Sequence, residues 1–287
     1  MENNVNFPLV SVITATKNIV KGKREIFFRK AAASIKEQDY PNIEHIVIDG
    51  ASDDGSVEMF KQMGLNYISE LDKNTHDAYN KGIKRSSGKY IFFLNADDFF
   101  VNTDSVSRAV HEMEKTNADF TCASVPVFDE NNNLKEIFPV KIRYMFLTMP
   151  FGFSGVMLRR DSVVKIRMFD ESFRIASDYD LIWRMFSNGF KCLHLDFNLG
   201  AWRGGGISDS NPQERIHEYM LVFAKNTGLS IEESVAIMKR KYIPHKILKQ
   251  IIIECRQMPD SWASQIYKKN YLNCLTWNIK KLFSFGE

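Results

Sequence analysis

Tyr90-Ile91-Phe92-Phe93-Leu94-Asn95-Ala96-Asp97-Asp98 decides how this chain is read: a short apolar run, preceded by Ser86-Ser87-Gly88, ends abruptly in two adjacent carboxylates. The apolar part has the length and boundaries of a buried strand. Asp97 and Asp98 then fall at its carboxyl end, where open α/β sheets place their ligands. Two like charges side by side are costly there. A divalent cation would neutralise them, and hard carboxylate oxygens suit Mg2+ or Mn2+ carrying a diphosphate. The alternative is a plain turn in which Asp98 introduces a helix near 105–114.

Working outward, residues 9–15 read as a strand, 24–37 as a helix and 43–49 as a second strand. Gly50-Ala51-Ser52-Asp53-Asp54-Gly55 then turns into a helix over 56–63, followed by a short strand at 67–69 and a helix over 76–85. Strands alternating with helices at this spacing imply parallel βαβ units, and their apolar runs suit a sheet covered on both faces. The expected fold class is α/β, with a mostly parallel central sheet and a Rossmann-like nucleotide-binding half in the first hundred residues. Neither GxGxxG nor GxxxxGK[ST] occurs in this half, so a different phosphate-handling device is needed. Three polar strand ends qualify: Thr14-Ala15-Thr16-Lys17-Asn18, Asp49 to Asp53, and Asn95 to Asp98. Each alone reads equally as a turn or a helix cap, and their joint placement raises the functional reading.

Composition limits the function without naming it. The 287 residues, 44% hydrophobic and 25% charged, are ordinary for a globular protein with a substantial core. No run approaches the roughly 20 apolar residues of a membrane-spanning helix, and the polar start lacks a signal-peptide layout, so a cytoplasmic location is expected. Cys122, Cys192, Cys255 and Cys274 are scattered without metal-binding spacing and are expected as reduced, buried thiols. The net charge of +3 conceals an asymmetry. Residues 239–287 hold ten Lys/Arg against three acids, net +7, leaving −4 for the rest. Their basic side chains alternate with Ile247, Leu248, Trp262, Tyr267, Tyr271, Leu275 and Trp277. That pattern suits either helices lying on an anionic membrane or an apolar face packed on the main domain. Nucleic acid is not expected, because no recognition motif accompanies the charge.

The order VSVITATKN, HIVIDGASDDGS, SELDKNTHDAYNKGI and GKYIFFLNADD, continued by the 168–184 segment MFDESFRIASDYDLIWR, resembles glycosyltransferase family 2, a family of GT-A fold, over about residues 8–210. The resemblance implies a nucleotide-diphospho-sugar donor, most often UDP-linked, with Mn2+ or Mg2+ as cofactor. It also implies inverting transfer to a glycan or lipid-linked acceptor in cell-surface polysaccharide assembly. It places Thr14, Thr16 and Asp49 around base and ribose, Asn95, Ala96 and Asp97 at the ribose, and Asp97 with Asp98 at the metal. Asn95 stands where the DxD motif begins with aspartate, which leaves one or two direct protein ligands to the cation. Asp77 and Asn80, at i, i+3 on one helix face, match a donor-side segment, with Lys81 toward a phosphate. Asn74-Thr75-His76 replaces a glycine-containing turn, and His76 reads as a surface side chain.

Inverting transfer needs a carboxylate that takes the acceptor hydroxyl's proton while the oxygen attacks opposite the leaving diphosphate. Asp178 matches the aspartate of the family's Glu-Asp pair, with Ser177 in place of the glutamate. Asp180, two residues on, cannot face the same point of a helix and is the alternative base. In Ala201-Trp202-Arg203-Gly204-Gly205-Gly206-Ile207-Ser208 the glycines suggest a hinge, with Trp202 on a sugar face and Arg203 at a phosphate. Residues 151–155 are expected in the acceptor wall. The expected division is residues 1–210 as the GT-A domain (1–100 nucleotide-binding, 101–210 acceptor-side) and 211–287 as a helical, basic amphipathic region with peripheral contact at the inner face of the cell membrane. The alternatives are a nucleotide-sugar-binding protein that has lost its chemistry, consistent with Asn95 and Ser177, and a sugar-nucleotide nucleotidyltransferase, whose Gly-rich basic amino-terminal loop is missing here.

Overall fold

The computed structural model describes residues 7–204, 206, 210–255 and 257–283, with side chains to residue 277. Gly205, Ile207 and Ser208 of the expected hinge, and the side chains of Arg256, Lys280, Lys281 and Phe283, lie outside the described residues. The central sheet starts from β1 (Val10–Thr16), flanked by β2 (Ile43–Asp49) and β4 (Tyr90–Phe93). It reaches β3 (Asn66–Ser69) on one side and β9 (Met157–Arg159), β6 (Phe120–Cys122) and β10 (Cys192–His194) on the other. All pairs are parallel except those of β9, which runs antiparallel to both β4 and β6. Val10, Val12, Ile13, Tyr90, Ile91 and Phe92 are fully buried, as expected of strands covered on both faces.

Three helices return the chain between the first four strands: α1 (Glu25–Lys36), α2 (Ser56–Gln62) and α3 (Thr75–Arg85). Helix α3 lies close on β1 because position 82 is glycine, where a Cβ would collide with the Ile13 side chain. A second, four-stranded sheet, in the order β5 (Phe99–Phe100), β11 (Gly200–Arg203), β7 (Val125–Phe128) and β8 (Leu134–Phe138), stands beyond the carboxyl end of β4. Helix α4 (Ser105–Thr116) follows β5, and α5 (Arg160–Lys165) and α6 (Ser177–Ser187) follow β9. Among the described residues four helices follow: α7 (Pro212–Thr227), α8 (Ile231–Arg240), α9 (His245–Glu254) and α10 (Asp260–Phe283).

The carboxyl-terminal helices do not form a free-standing appendage. Val222 and Phe223 of α7 are fully buried, and Trp183 of α6 packs edge-on against Phe223 with ring centroids 5.6 Å apart. Helix α10 is bound at one point by a carboxamide: Asn270 accepts the N–H of Ile243 at 2.5 Å and donates to its carbonyl at 2.7 Å. Ile266 is buried and Trp262 and Tyr267 lie against the core, whereas Tyr271, Leu272, Leu275 and Trp277 remain exposed. The two readings of the tail therefore divide between the two ends of one helix. No helix among the described residues is long and apolar enough to cross a membrane. All four cysteines are free thiols, three of them buried.

Candidate active site

The three polar strand ends do meet beyond the sheet, but most of their side chains bind one another. Asp49 at the end of β2 is fully buried and accepts from Thr16 Oγ1 (3.2 Å), Ser52 N (2.8 Å), Ser52 Oγ (2.5 Å) and Ser69 Oγ (2.7 Å). Thr14 is buried one turn of the pleat lower, its hydroxyl 3.0 Å from His45 Nε2, and burial pushes that imidazole down to about 4. Asp72, which the sequence reading overlooked, lies so close to Gly50 that a Cβ there would be 2.5 Å from its Oδ2. Burial, and after it the nearby Asp77 and Asp49, hold its carboxyl above the usual range against Lys17 and Lys81.

Asp97 and Asp98 leave the turn after β4 in different directions. Asp98 is 2% exposed and accepts from Asn95 Nδ2 (2.8 Å) and Ser154 Oγ (3.0 Å) on one oxygen and from the Arg203 N–H (3.2 Å) on the other. Burial, with the adjacent Asp97 charge, outweighs these donors and raises its carboxyl to about 7. The expectation that both aspartates face one cation is therefore revised: Asp98 turns inward and its oxygens are engaged. Asp97 is half-exposed, and its one ion pair, with Arg24 at 3.7 Å, is of the solvent-exposed kind worth under about 1 kcal/mol. A divalent cation would displace it readily. Among the described residues no three His, Cys, Asp or Glu side chains gather as a metal-binding set. The half-exposed Asp97 carboxylate has the hard-oxygen chemistry that fits a divalent cation. Ala96 is buried, while Asn95 stays exposed and accepts from the Tyr79 hydroxyl at 2.5 Å.

On α3 the expected ligand contacts prove to be mostly internal. Asn80 is 3% exposed; it accepts the Phe169 N–H (3.0 Å) and donates to the Phe169 carbonyl (3.0 Å) and Glu171 Oε1 (3.1 Å). It clamps α3 to the segment at residues 169–171 and has no donor atom free for a ligand. Asp77 accepts the Lys73 N–H at 2.9 Å, and Lys81 donates to the Leu71 carbonyl at 2.5 Å, with Asp77 3.6 Å and Glu70 3.5 Å from its ammonium. His76 is not on the surface. It is buried between Tyr79 and Phe169, its pKa is pushed down to about 4 by burial, and Nδ1 has no hydrogen-bond partner.

The acceptor side separates the two candidate bases. Asp180 is fully buried and bound to Arg184 Nε (2.7 Å), Lys225 Nζ (2.9 Å) and Asn226 Nδ2 (3.0 Å), so it ties α6 to α7. Asp178 is half-buried at the first turn of α6 and accepts the Tyr179 N–H at 2.7 Å; burial and then the Glu218 charge raise its carboxyl to about 6, against the backbone N–H groups of Tyr179 and Asp178 itself. The Tyr79 phenol lies within the field of Asp98, Asp178 and Asp97, which, added to its burial, holds it protonated. Ser177, where the resemblance expects glutamate, donates to the Asp170 carbonyl at 2.8 Å.

Arg203 does not reach into open space. It is 6% exposed, packs 3.9 Å over the Phe27 ring and donates to the Asp129 carbonyl (2.5 Å) and Asn132 Oδ1 (2.8 Å), with Nε unpartnered. Trp202 is half-buried beside Phe138, ring centroids 5.7 Å apart. Of residues 151–155, Ser154 touches the cluster directly, through Asp98.

The model of the family described as glycosyl transferase family 2 matches residues 11–165, more than half of the chain. This chain belongs to that family. AmsB of Erwinia amylovora, an amylovoran biosynthesis glycosyltransferase, is 29% identical to this glycosyltransferase over 181 residues, which span 55% of the chain and 58% of AmsB. Three further bacterial relatives, from Haemophilus influenzae, Mycobacterium tuberculosis and Rickettsia prowazekii, are matched over 67%, 40% and 61% of their own length. Residues 1–349 of S. aureus TarS in complex with UDP-GlcNAc superpose with a TM-score of 0.62 at 15% identity, covering 97% of this chain and 92% of that one. The mannosyltransferase PcManGT of Pyrobaculum calidifontis, in complex with GDP-Man and Mn2+, superposes with a TM-score of 0.56 at 16% identity, covering 92% and 74%. At that identity the likeness establishes the fold, the expected α/β architecture of GT-A type.

Proposed function

We propose that this family 2 glycosyltransferase transfers a hexosyl or N-acetylhexosaminyl group with inversion from a UDP-sugar to a hydroxyl of a glycan or lipid-linked acceptor in cell-surface polysaccharide assembly. The observation that carries the reading is the pair of half-buried carboxylates Asp97 and Asp178, which with Asp98 bear on the Tyr79 phenol and which, unlike Asp98 and Asp180, are not tied up by several internal hydrogen bonds. Asp178 takes the proton from the acceptor oxygen. A carboxyl raised to about 6 is basic enough to accept it and still ionised at neutral pH. Asp97 would hold Mn2+ or Mg2+, which when bound would supply charge stabilisation to the departing diphosphate. Asp49 and Thr16 hold the strand end that meets base and ribose, with Asp72 beside them, and Asn95 faces the ribose.

The polysaccharide role of AmsB and the nucleotide sugars bound to TarS and PcManGT support this reading by analogy. Residues 1–210 carry the chemistry, and the helices α7 to α10 face the membrane-borne acceptor. Incubation with UDP-GlcNAc, UDP-glucose and UDP-galactose in Mn2+, scored as UDP release, tests the proposal. Release from at least one donor, lost in Asp178→Asn, is expected. No release from any donor, together with no calorimetric binding of UDP, overturns it.

A further inference from the structure

Glu218, on α7 and outside the 11–165 match, is a buried carboxylate that no sequence motif marks. It is 7% exposed. Its Oε1 accepts the Arg174 N–H at 2.8 Å and its Oε2 accepts those of Ile175 (2.8 Å) and Ala176 (2.7 Å), three consecutive amides leading into α6. Asp178 sits two residues further along. A charged acceptor satisfying three amides in one geometry is a strong, directional fixture, because charge-assisted bonds exceed neutral ones about twofold. On the far side of the same turn, Lys225 bridges Asp170 (2.7 Å) and Asp180 (2.9 Å), so α7 grips this segment at two places.

We propose that Glu218 is a positioning residue for the transfer reaction: it supplies, from α7, the second carboxylate that position 177 lacks, fixing the backbone entering α6 and setting the charge environment of Asp178. The inference rests on Asp178 being the base. The titratable groups bearing on Asp178 are Glu218 and Tyr219 from α7 and Tyr79 from α3. Both phenols are held protonated by burial and neighbouring carboxylates, so Glu218 is the neighbour that carries charge. Burial does most to make Asp178 a stronger base than an ordinary aspartate, and the negative charge of Glu218 adds to it by opposing ionisation.

Two variants separate charge from reach. Glu218→Gln keeps an oxygen for Ile175 and Ala176 but removes the charge and sets its NH2 against the Arg174 N–H. Glu218→Asp keeps the charge on a stem one methylene shorter. For Glu218→Gln the expected result is turnover lowered about tenfold or more, unchanged donor KM and an acidic limb of the kcat profile displaced to lower pH. For Glu218→Asp it is lowered turnover with the acidic limb in place. Wild-type turnover in both variants, or identical pH profiles for wild type and Glu218→Gln, overturns the proposal. If Glu218→Gln does not fold, Glu218→Asp decides: wild-type turnover overturns the proposal, and slowed turnover with an unmoved limb sustains it. Asp178→Asn measured alongside keeps the two readings apart. A dead Asp178→Asn beside a wild-type-like Glu218→Gln sinks this inference alone, whereas an active Asp178→Asn sinks the assignment of the base.

Discussion

The backbone N–H of Arg203 donates to Asp98 Oδ1 at 3.2 Å, joining the first strand of the second sheet's central pair to the turn after β4. Asp98 thereby acts as a buried brace under Asp97. Calorimetry with UDP is expected to give tighter binding in Mn2+ than in chelator. Asp97→Ala should remove the difference and Asp98→Asn should preserve it. Equal wild-type affinity with and without metal would remove the cation from the account.

The same brace predicts a pH dependence of stability. Asp98, raised to about 7, and Asp178, raised to about 6, hold protons in the folded state that the unfolded chain has released above about 4. Between those values the native state binds more protons than the unfolded one, so both groups lower stability as pH rises. Asp170, lowered to about 2 by Lys225 and Ser172, acts oppositely and only toward acid. His45 and His76, pushed down to about 4 by burial, act against Asp98 and Asp178 up to about pH 6.5, so the test is the difference between proteins: from pH 5 to 7 the Tm of Asp98→Asn should decline less, or rise more, than that of wild type. A variant as steep as wild type contradicts the assignment.

Turnover should fall below about pH 6, where Asp178 takes up its proton and can no longer accept one from the acceptor. Asp178→Asn should cost about a hundredfold or more in kcat with donor affinity retained. Asp180→Asn should instead lose stability, by about 3 kcal/mol, since it leaves Arg184 without its buried counter-charge. Normal kcat in Asp178→Asn with a folded but inactive Asp180→Asn would exchange the two roles.

The exposed end of α10 is expected to meet anionic lipid. Each Lys or Arg near such a surface contributes about 1 kcal/mol, and Tyr271, Leu272, Leu275 and Trp277 add apolar contact. Co-sedimentation with phosphatidylglycerol vesicles should be strong at low salt and weak at high salt. It should fall when Lys268, Lys269, Lys280 and Lys281 become Gln. Binding indifferent to these changes would leave this face for contact between proteins.

The sheet, its parallel order and the convergence of three strand ends were legible because periodicity and turn residues are local signals. Which polar side chains face a ligand was not. Asp97 and Asp98 are adjacent in sequence, and only the packing of β11 and Ser154 decides that the second turns inward. Asn80 and Arg203 have ligand-binding chemistry, yet their partners, Phe169 and Asn132, lie 89 and 71 residues away. His76 reads as a surface residue because the Phe169 ring that covers it comes from the acceptor half. Glu218 belongs to no motif, since its value arises from three backbone amides and a carboxyl-terminal helix that no local pattern connects.

The Asn80 carboxamide engages both the N–H and the C=O of Phe169, as a neighbouring strand would. A carboxylate of the same shape would set oxygen against oxygen, and an apolar side chain would leave two buried backbone groups unmet, at about 1–3 kcal/mol each. Position 80 and residues 169–171 are thus a lock and its key carried on opposite halves of the chain. Chimeras that join the amino-terminal half of this protein to the carboxyl-terminal half of a relative should fold only when the pairing at this point is inherited intact, which makes it the natural place to choose or avoid a crossover.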